Sequence, residues 1–358
     1  MRRACKVTLK FANARKREAI EALLCRYRSA INFFIRSLWV NPGRLDAATL
    51  ARLHVTELSQ RYKSQALKQA LEICVATRKS AAVLGRQAKS PIFHGDAVLD
   101  TKFLSVEVGR GSFDLVVRIS SLIPGQRLTV PTKRTAVLNK WLAVPNAVIA
   151  QGCALSETNL VLWVEIPDCN SRTKGTVVGI DIGINKLLSD SDGAHYGREF
   201  RSILMKIRRR EPGSNGRRRA YAERENYINR TINQLPWESI AVIGIEKLHD
   251  MKRGKNRKRG KAFRKAVAPW LYRRVIERIG CKAQERRSRL VEIDPAYTSQ
   301  DCPACKARNS LNRHGEVFLC IACGHAGDAD TVGAQNILAR TWATLGSVES
   351  PRLKRSAR

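Results

Sequence analysis

Acidic residues are scarce in this chain: 31 Asp and Glu stand against 65 Lys and Arg, a net charge of +34. A solvated surface that serves only solubility mixes both signs, so this imbalance argues against a protein with no charged partner. A surface so basic repels itself until it meets a polyanion, and neutralising phosphates releases their condensed counterions. Long apolar runs are also missing. No stretch reaches the roughly eighteen residues of a membrane span, which sets aside an embedded protein. Met1-Arg2-Arg3 leads into Cys5-Lys6-Val7-Thr8, with no apolar core of a secretion signal. The expectation is a soluble, cytoplasmic protein that binds nucleic acid and has no membrane partner. Hydrophobic residues make up 44% of the 358 positions, too many for a disordered chain and enough for two or three domains.

Ten cysteines are present, but six of them (Cys5, Cys25, Cys74, Cys153, Cys169 and Cys281) are scattered. Without a secretion signal, scattered cysteines read as reduced core residues and not as disulfides. The other four form Cys302-Pro303-Ala304-Cys305 and Cys320-Ile321-Ala322-Cys323, two Cys-x-x-Cys pairs fourteen residues apart. Each pair suits a tight knuckle, and two knuckles joined by a hairpin give four thiolates to one tetrahedral zinc ion. Such a site has no open position, so it is structural. His314 and His325 lie nearby but are not needed as ligands.

Hydrophobic periodicity divides the remainder. Val7, Leu9 and Phe11 alternate with polar residues, as in a strand with one wet face. Ile20, Leu23, Leu24, Tyr27, Ile31, Phe34 and Leu38 recur at helical spacing up to Asn41-Pro42-Gly43. A second helical block sets Leu67, Leu71, Cys74 and Val75 on one face and Lys63, Lys68, Arg78 and Lys79 on the other. Residues 91–170 read as strands, including a hairpin around Ser156-Glu157-Thr158-Asn159, so an antiparallel sheet or small barrel is expected, joined by the first strand. After the polar linker 170–175, strands and helices alternate in an α/β pattern. From Met251 to Lys265, nine of fifteen residues are Lys or Arg. That run reads either as a solvated segment or as a nucleic-acid contact through Lys252, Arg253, Lys255, Arg257, Lys258, Arg259 and Lys261.

Three carboxylates stand out in the second half. Asp181 closes the apolar strand Thr176 to Ile180, and Glu246 closes Ile240 to Ile245. A carboxylate amid apolar residues is costly unless it is paired or bound to a cation. Asp328-Ala329-Asp330 opens a helical segment with small residues, where either aspartate could be an N-cap. Two strand acids and one helix acid can converge on hard divalent cations such as magnesium or manganese.

In order, Gly179-Ile180-Asp181-Ile182-Gly183, Ile243-Gly244-Ile245-Glu246-Lys247-Leu248, Pro295 to Cys302, and Asp328-Ala329-Asp330 with Gly333-Ala334-Gln335-Asn336-Ile337 resemble the RuvC motifs and zinc-ribbon entry of the TnpB family. TnpB proteins are encoded by bacterial insertion sequences, and compact type V CRISPR effectors share these motifs but are usually longer. The resemblance implies a multidomain α+β chain. A helical recognition lobe (13–90) and an antiparallel β-barrel-like wedge domain (1–12 with 91–170) precede an RNase H-like RuvC α/β domain (171–298 and 327–345). A four-cysteine zinc ribbon (299–326) is inserted, and a basic tail (346–358) follows. It further implies an RNA-guided DNA endonuclease with guide RNA and target double-stranded DNA as partners. Catalytic and metal-holding residues would be Asp181, Glu246 and Asp330, with Asp328 auxiliary, and structural zinc would sit on Cys302, Cys305, Cys320 and Cys323. Two departures stand out: Val332 replaces a usual asparagine, and Lys306 a usual glycine. A structure-specific resolvase and a catalytically silent DNA-binding regulator are the rival readings.

Overall fold

The alternation at the N-terminus forms strand β1 (Arg2–Thr8), with Cys5 and Val7 turned inward. The computed structural model describes residues 1–40, 58–83, 85, 87–109, 111–123, 125–167, 170–247, 272–346 and 354–355. These fall into two compact units, Met1–Asp168 and Cys169–Arg358. Residues 41–43, Cys169, the basic run from Met251 to Lys265 and Pro351 lie outside the described residues.

In the first unit, α1 (Ala14–Val40) buries the residues that its periodicity singled out, from Ile20 to Leu38. The second helix, α2 (Gln60–Val83), corrects the expected face. Leu67 and Cys74 are buried, but Leu71 and Val75 are 41% and 61% exposed. Tyr62, Ala66 and Ala70 take the inner positions instead: Tyr62 packs on the Tyr27 and Phe103 rings, and the two alanines let α2 approach α1 closely. Cys25 is likewise exposed, since the α1 stripe steps from Leu24 to Tyr27 and leaves it outside.

Strands β2 (Ala97–Leu99), β3 (Leu104–Val108), β4 (Leu115–Ser120), β5 (Arg127–Thr132), β6 (Val148–Leu155) and β7 (Asn159–Glu165) follow, with a short helix α3 (Ala136–Leu142) before β6. The expected antiparallel layer is two sheets, ordered β1-β7-β6-β2 and β3-β4-β5. Among the described residues no strand pairing joins them into one barrel. Their inner faces and those of α1 and α2 share one core.

The second unit is built on β8 (Thr176–Ile182), β9 (Leu188–Asp190), β10 (His195–Tyr196), β11 (Ile240–Glu246) and β12 (Arg289–Ile293), in the order β10-β9-β8-β11-β12. β8, β11 and β12 run parallel, while β9 turns back along β8. Helices α4 (Phe200–Arg209), α5 (Asn215–Asn233) and α6 (Tyr272–Glu285) cover one face, packing on Ile180, Ile243 and Ile245. Helix α7 (Ala329–Gly346) covers the other, over Val177, Val242 and Val291. Burial on both faces explains why β8 and β11 read as nearly unbroken apolar runs.

Two glycines set the height of α7. Gly179 and Gly244 are paired in the β8–β11 register. A Cβ on Gly179 would lie 2.2 Å from the Ala334 carbonyl oxygen, and one on Gly244 would lie 1.8 Å from Thr341 Oγ1. At Gly179 the helix backbone therefore rests directly on the sheet, and at Gly244 the Thr341 side chain fills the space that a Cβ would need. Between β12 and α7 sits a small sheet of β13 (Arg313–His314), β14 (Val317–Leu319) and β15 (Ala326–Asp328). Among the described residues no helix is long and apolar enough to cross a membrane.

Candidate functional site

Side chains alternate along a strand, so Asp181 faces the same side as Gly179, and Glu246 the same side as Gly244. Because those glycines are paired in register, the two acids stand side by side at the carboxyl ends of adjacent parallel strands. That edge is where open α/β sheets bind their ligands. Helix α7 crosses just above, and its first turn carries Asp330, only 9% exposed. A Cβ on Gly333 would lie 3.3 Å from Asp181 Oδ2, so α7 touches the first acid directly.

The electrostatics agree with this proximity. Burial, then the charges of Glu246 and Asp330, push the Asp181 carboxyl up to about 7, against the opposing pull of Arg313. Burial also raises Glu246, opposed by a hydrogen bond from Thr298 and by Arg340 and Arg313. Tyr272 is held well above the ordinary phenol range by burial and by the charges of Glu246 and Asp181. Two carboxyls that resist ionisation side by side at a sheet edge are a poor resting state and a good receptor for positive charge.

Cations already address the third acid. Arg313 donates to Asp330 Oδ1 at 2.8 Å, and Lys186 Nζ lies 3.7 Å from Oδ2. Lys186 also bonds Asp328, whose Oδ1 accepts from the backbone N–H groups of Asp330 and Thr331 at 3.1 Å each. Asp328 is therefore the cap of α7. Against its own burial, Lys186, the Thr331 amide and His195 keep its carboxyl below the usual range. Glu246 is fixed from the other side: Thr298 Oγ1 donates to it, and Asn336 of α7 holds the Thr298 and Asp301 carbonyls at 2.9 and 2.7 Å. Sequence reasoning singles out the three acids but misses Lys186 and Arg313, which carry no local pattern. Thr298 and Asn336 lie within the family-like motifs, yet the motifs alone assign them no role.

The second centre is sulfur. Cys302, Cys305, Cys320 and Cys323 have their Sγ atoms all within 4.8 Å of one another. Among the described residues this is the one group of three or more such ligand atoms gathered that closely. The knuckles are twins: Lys306 N bonds the Cys302 carbonyl at 3.0 Å, and Gly324 N bonds the Cys320 carbonyl at 2.9 Å. Both turns need a left-handed residue, with φ +64° at Lys306 and +73° at Gly324. Although burial alone would raise it, amides of Cys323 and Ala322 pull the Cys320 thiol down to about 7. Four sulfurs gathered this closely can hold one metal ion. His314 is exposed and His325 packs edge-on against Phe318, so neither joins the cluster. Val332 is buried with Cys302, Phe318, Cys320 and Ala329, joining the ribbon to α7 through apolar contact. The expected nucleic-acid contacts Lys252, Arg253, Lys255, Arg257, Lys258, Arg259 and Lys261 lie outside the described residues.

Known proteins share parts of this chain. Residues 272–337 match the Cas12f1-like TNB domain. A stretch of 69 residues is 42% identical to the CRISPR-associated endodeoxyribonuclease Cas12f1 of Sulfoacidibacillus thermotolerans, covering 19% of this chain and 16% of that one. Over 238 residues the chain is 23% identical to the "Putative RNA-guided DNA endonuclease InsQ" of Escherichia coli (strain K12), covering 58% and 59% of the two chains. The chain thus spans less than two thirds of each of these relatives. In three dimensions it is similar to the effector in a cryo-EM structure of a Cas12f1-sgRNA-target DNA complex, with a TM-score of 0.51, 14% identity, and 90% and 81% of the chains covered. That likeness is one of fold, a multidomain α/β architecture. The motif resemblance to TnpB proteins and compact type V effectors is borne out by these matches.

Proposed function

We propose that the chain is an RNA-guided DNA endonuclease of the TnpB type, hydrolysing phosphodiesters of a target beside a short flanking motif. The observation that carries this reading is the placement of Asp181 and Glu246 at neighbouring strand ends beneath the helix turn that bears Asp330. In this reading the second unit is an RNase H-like RuvC domain with an inserted zinc ribbon. Helices of 13–90 serve as recognition lobe, and the strands of 91–170 with the first strand serve as wedge. Asp181, Glu246 and Asp330 would hold magnesium or manganese, and the four cysteines a structural zinc ion. The raised Asp181 and Glu246 carboxyls fit such a receptor, as the clustered sulfurs fit zinc. Held by Asp181, Glu246 and Asp330, such ions would supply polarisation of a water nucleophile and stabilisation of the leaving oxygen.

The chain's own groups orient that chemistry. Thr298 fixes Glu246 on one side, and the Asp328 cap sets the direction in which Asp330 enters. Arg313 and Lys186 flank Asp330 and orient its carboxylate. Guide RNA paired to one strand of double-stranded DNA would supply sequence specificity, with the protein reading duplex shape and the flanking motif. The Cas12f1-like match over 272–337 keeps a compact type V effector as a second reading with the same chemistry. A bacterial cytoplasmic setting near the nucleoid follows from such a substrate. The test is Asp181→Ala: magnesium-dependent cleavage should vanish while RNA copurifies as before. Retained cleavage in a clean preparation would overturn the assignment, and absence of copurifying RNA would leave a resolvase.

A further inference from the structure

Among the described residues Tyr297 is the one aromatic side chain left exposed, at 51%. It is also held in the left-handed region, at φ +65°, where a bulky side chain is strained. That conformation costs a non-glycine residue a factor of roughly 5–30 in the folding equilibrium. The turn keeps it there, because the Tyr297 carbonyl accepts from the Gln300 and Asp301 amides at 2.9 and 3.0 Å. Glycine or asparagine would form the same turn at less cost. The ring therefore has a use outside the turn.

Its neighbours in the fold do not supply that use. The Arg308 guanidinium lies over the ring, 4.1 Å from its centroid. At an exposed site a cation over a ring contributes at most a factor of about 5, which does no more than offset the strain. Nor does Arg308 need the ring to be placed. Its Nε donates to Asp301 at 2.6 Å, and Arg340 of α7 holds the same carboxylate at 2.9 Å.

Position gives the ring its meaning. The next residue, Thr298, is buried and donates to Glu246. Asn336 of α7 grips the carbonyls of Thr298 and Asp301, on the two sides of the turn. The ring is thus mounted one residue from the group that fixes a site acid, on a pinned turn, with a cation on one face. An open, rigid ring of this kind is a platform on which an unpaired base stacks. Within a duplex both faces of a base are covered by its neighbours, so only a single strand can use it. Fixing one base also fixes the sugar and phosphate attached to it, and small errors in that placement are costly to a reaction.

We propose that Tyr297 stacks on an unpaired base of the DNA strand being cut and so positions the adjoining phosphate beside Asp181 and Glu246. That a strand is cut there rests on the proposed function, whereas the exposure and strain of the ring do not.

The direct test is photocrosslinking. Single-stranded DNA bearing one iododeoxyuridine is mixed with the full chain carrying Asp181→Ala, together with the RNA that copurifies, and irradiated. Iodouracil joins covalently to an aromatic ring on which it stacks, and mass spectrometry maps the joined residue. A crosslink at Tyr297 is expected, and crosslinks only elsewhere overturn the proposal. The second test measures single-turnover cleavage of DNA matching that RNA, with Asp181 intact. Tyr297→Phe keeps the ring and should cut at the parent rate. Tyr297→Asn tolerates the turn and should cut about tenfold more slowly, with a melting temperature unchanged or raised. An abasic residue at the stacked position should slow the parent about tenfold but Tyr297→Asn less than about twofold, since both changes remove one contact. Independent losses overturn the stack, and a lowered melting temperature for Tyr297→Asn reduces the ring to a structural prop. Should the parent fail to cut while Tyr297 still crosslinks, the nuclease reading fails and the stack stands; cutting without that crosslink is the reverse.

Discussion

Gly333 faces Asp181 so closely that a Cβ on it would stand 3.3 Å from Oδ2. The helix carrying the third acid thus sets the room left to the first. Gly333→Ala should push the Asp181 carboxylate aside by a few tenths of an ångström. With near-normal folding, cleavage at saturating magnesium should fall about tenfold or more, since small misplacements of reacting groups are costly. Nucleic-acid binding should stay unchanged. Cleavage at the parent rate would show that the approach is slack.

The two left-handed knuckle turns invite a gain. Lys306 holds φ +64° where its twin uses Gly324. A side chain in that conformation costs about 1 kcal/mol, so Lys306→Gly should stabilise the zinc-loaded ribbon by about that amount. Set against this gain is the exposed hydrogen bond that Lys306 Nζ donates to the Pro303 carbonyl, which glycine cannot make. Slower zinc release to a chelator would register the gain, and faster release would mean that this bond outweighs the backbone.

Much of the architecture is legible in the chain. The α1 stripe, both carboxylate-bearing strands and the cysteine knuckles carry strong local patterns. What is not legible has a physical cause. Leu71 and Val75 fit a helical stripe but yield the inner face to Ala66 and Ala70, because closeness between helices is decided by the partner. Strands β9 and β10 are three and two residues long, too short for any period. Arg313 and Lys186 reach the acids from segments distant in sequence, and only the folded chain brings them there.

The raised Asp181 carboxyl makes stability depend on pH. An acid whose folded value is about 7 against an ordinary 3.8 stabilises nothing at low pH and costs stability as pH rises through that window. Magnesium-free, zinc-loaded protein should therefore lose stability between about pH 4 and about pH 7 relative to Asp181→Asn. Glu246, raised as well, acts in the same direction. Denaturant melts of both proteins across this range measure the difference. A gap that does not widen with pH would mean the acids are ionised at little cost.

Lys186 and Asp328 decide how α7 begins. The lysine side chain is 12% exposed and bonds Asp328 Oδ2, while Asp328 Oδ1 receives the first amides of the helix. Removing the ammonium leaves a partly buried carboxylate that still caps α7 but lacks its counter-charge. Lys186→Met should cost about 1–3 kcal/mol. Asp328→Asn keeps an oxygen for the cap and leaves the lysine only its longer pairing with Asp330 at 3.7 Å, at a somewhat smaller cost. Because both changes break the same ion pair, the double variant should cost less than their sum. Cleavage should fall further than stability alone explains, since Asp330 sits two residues into the helix that this pair anchors, and Lys186→Arg should restore most of it. Additive losses, or cleavage that tracks only the folded fraction, would reduce the pair to an ordinary ion pair beside the site.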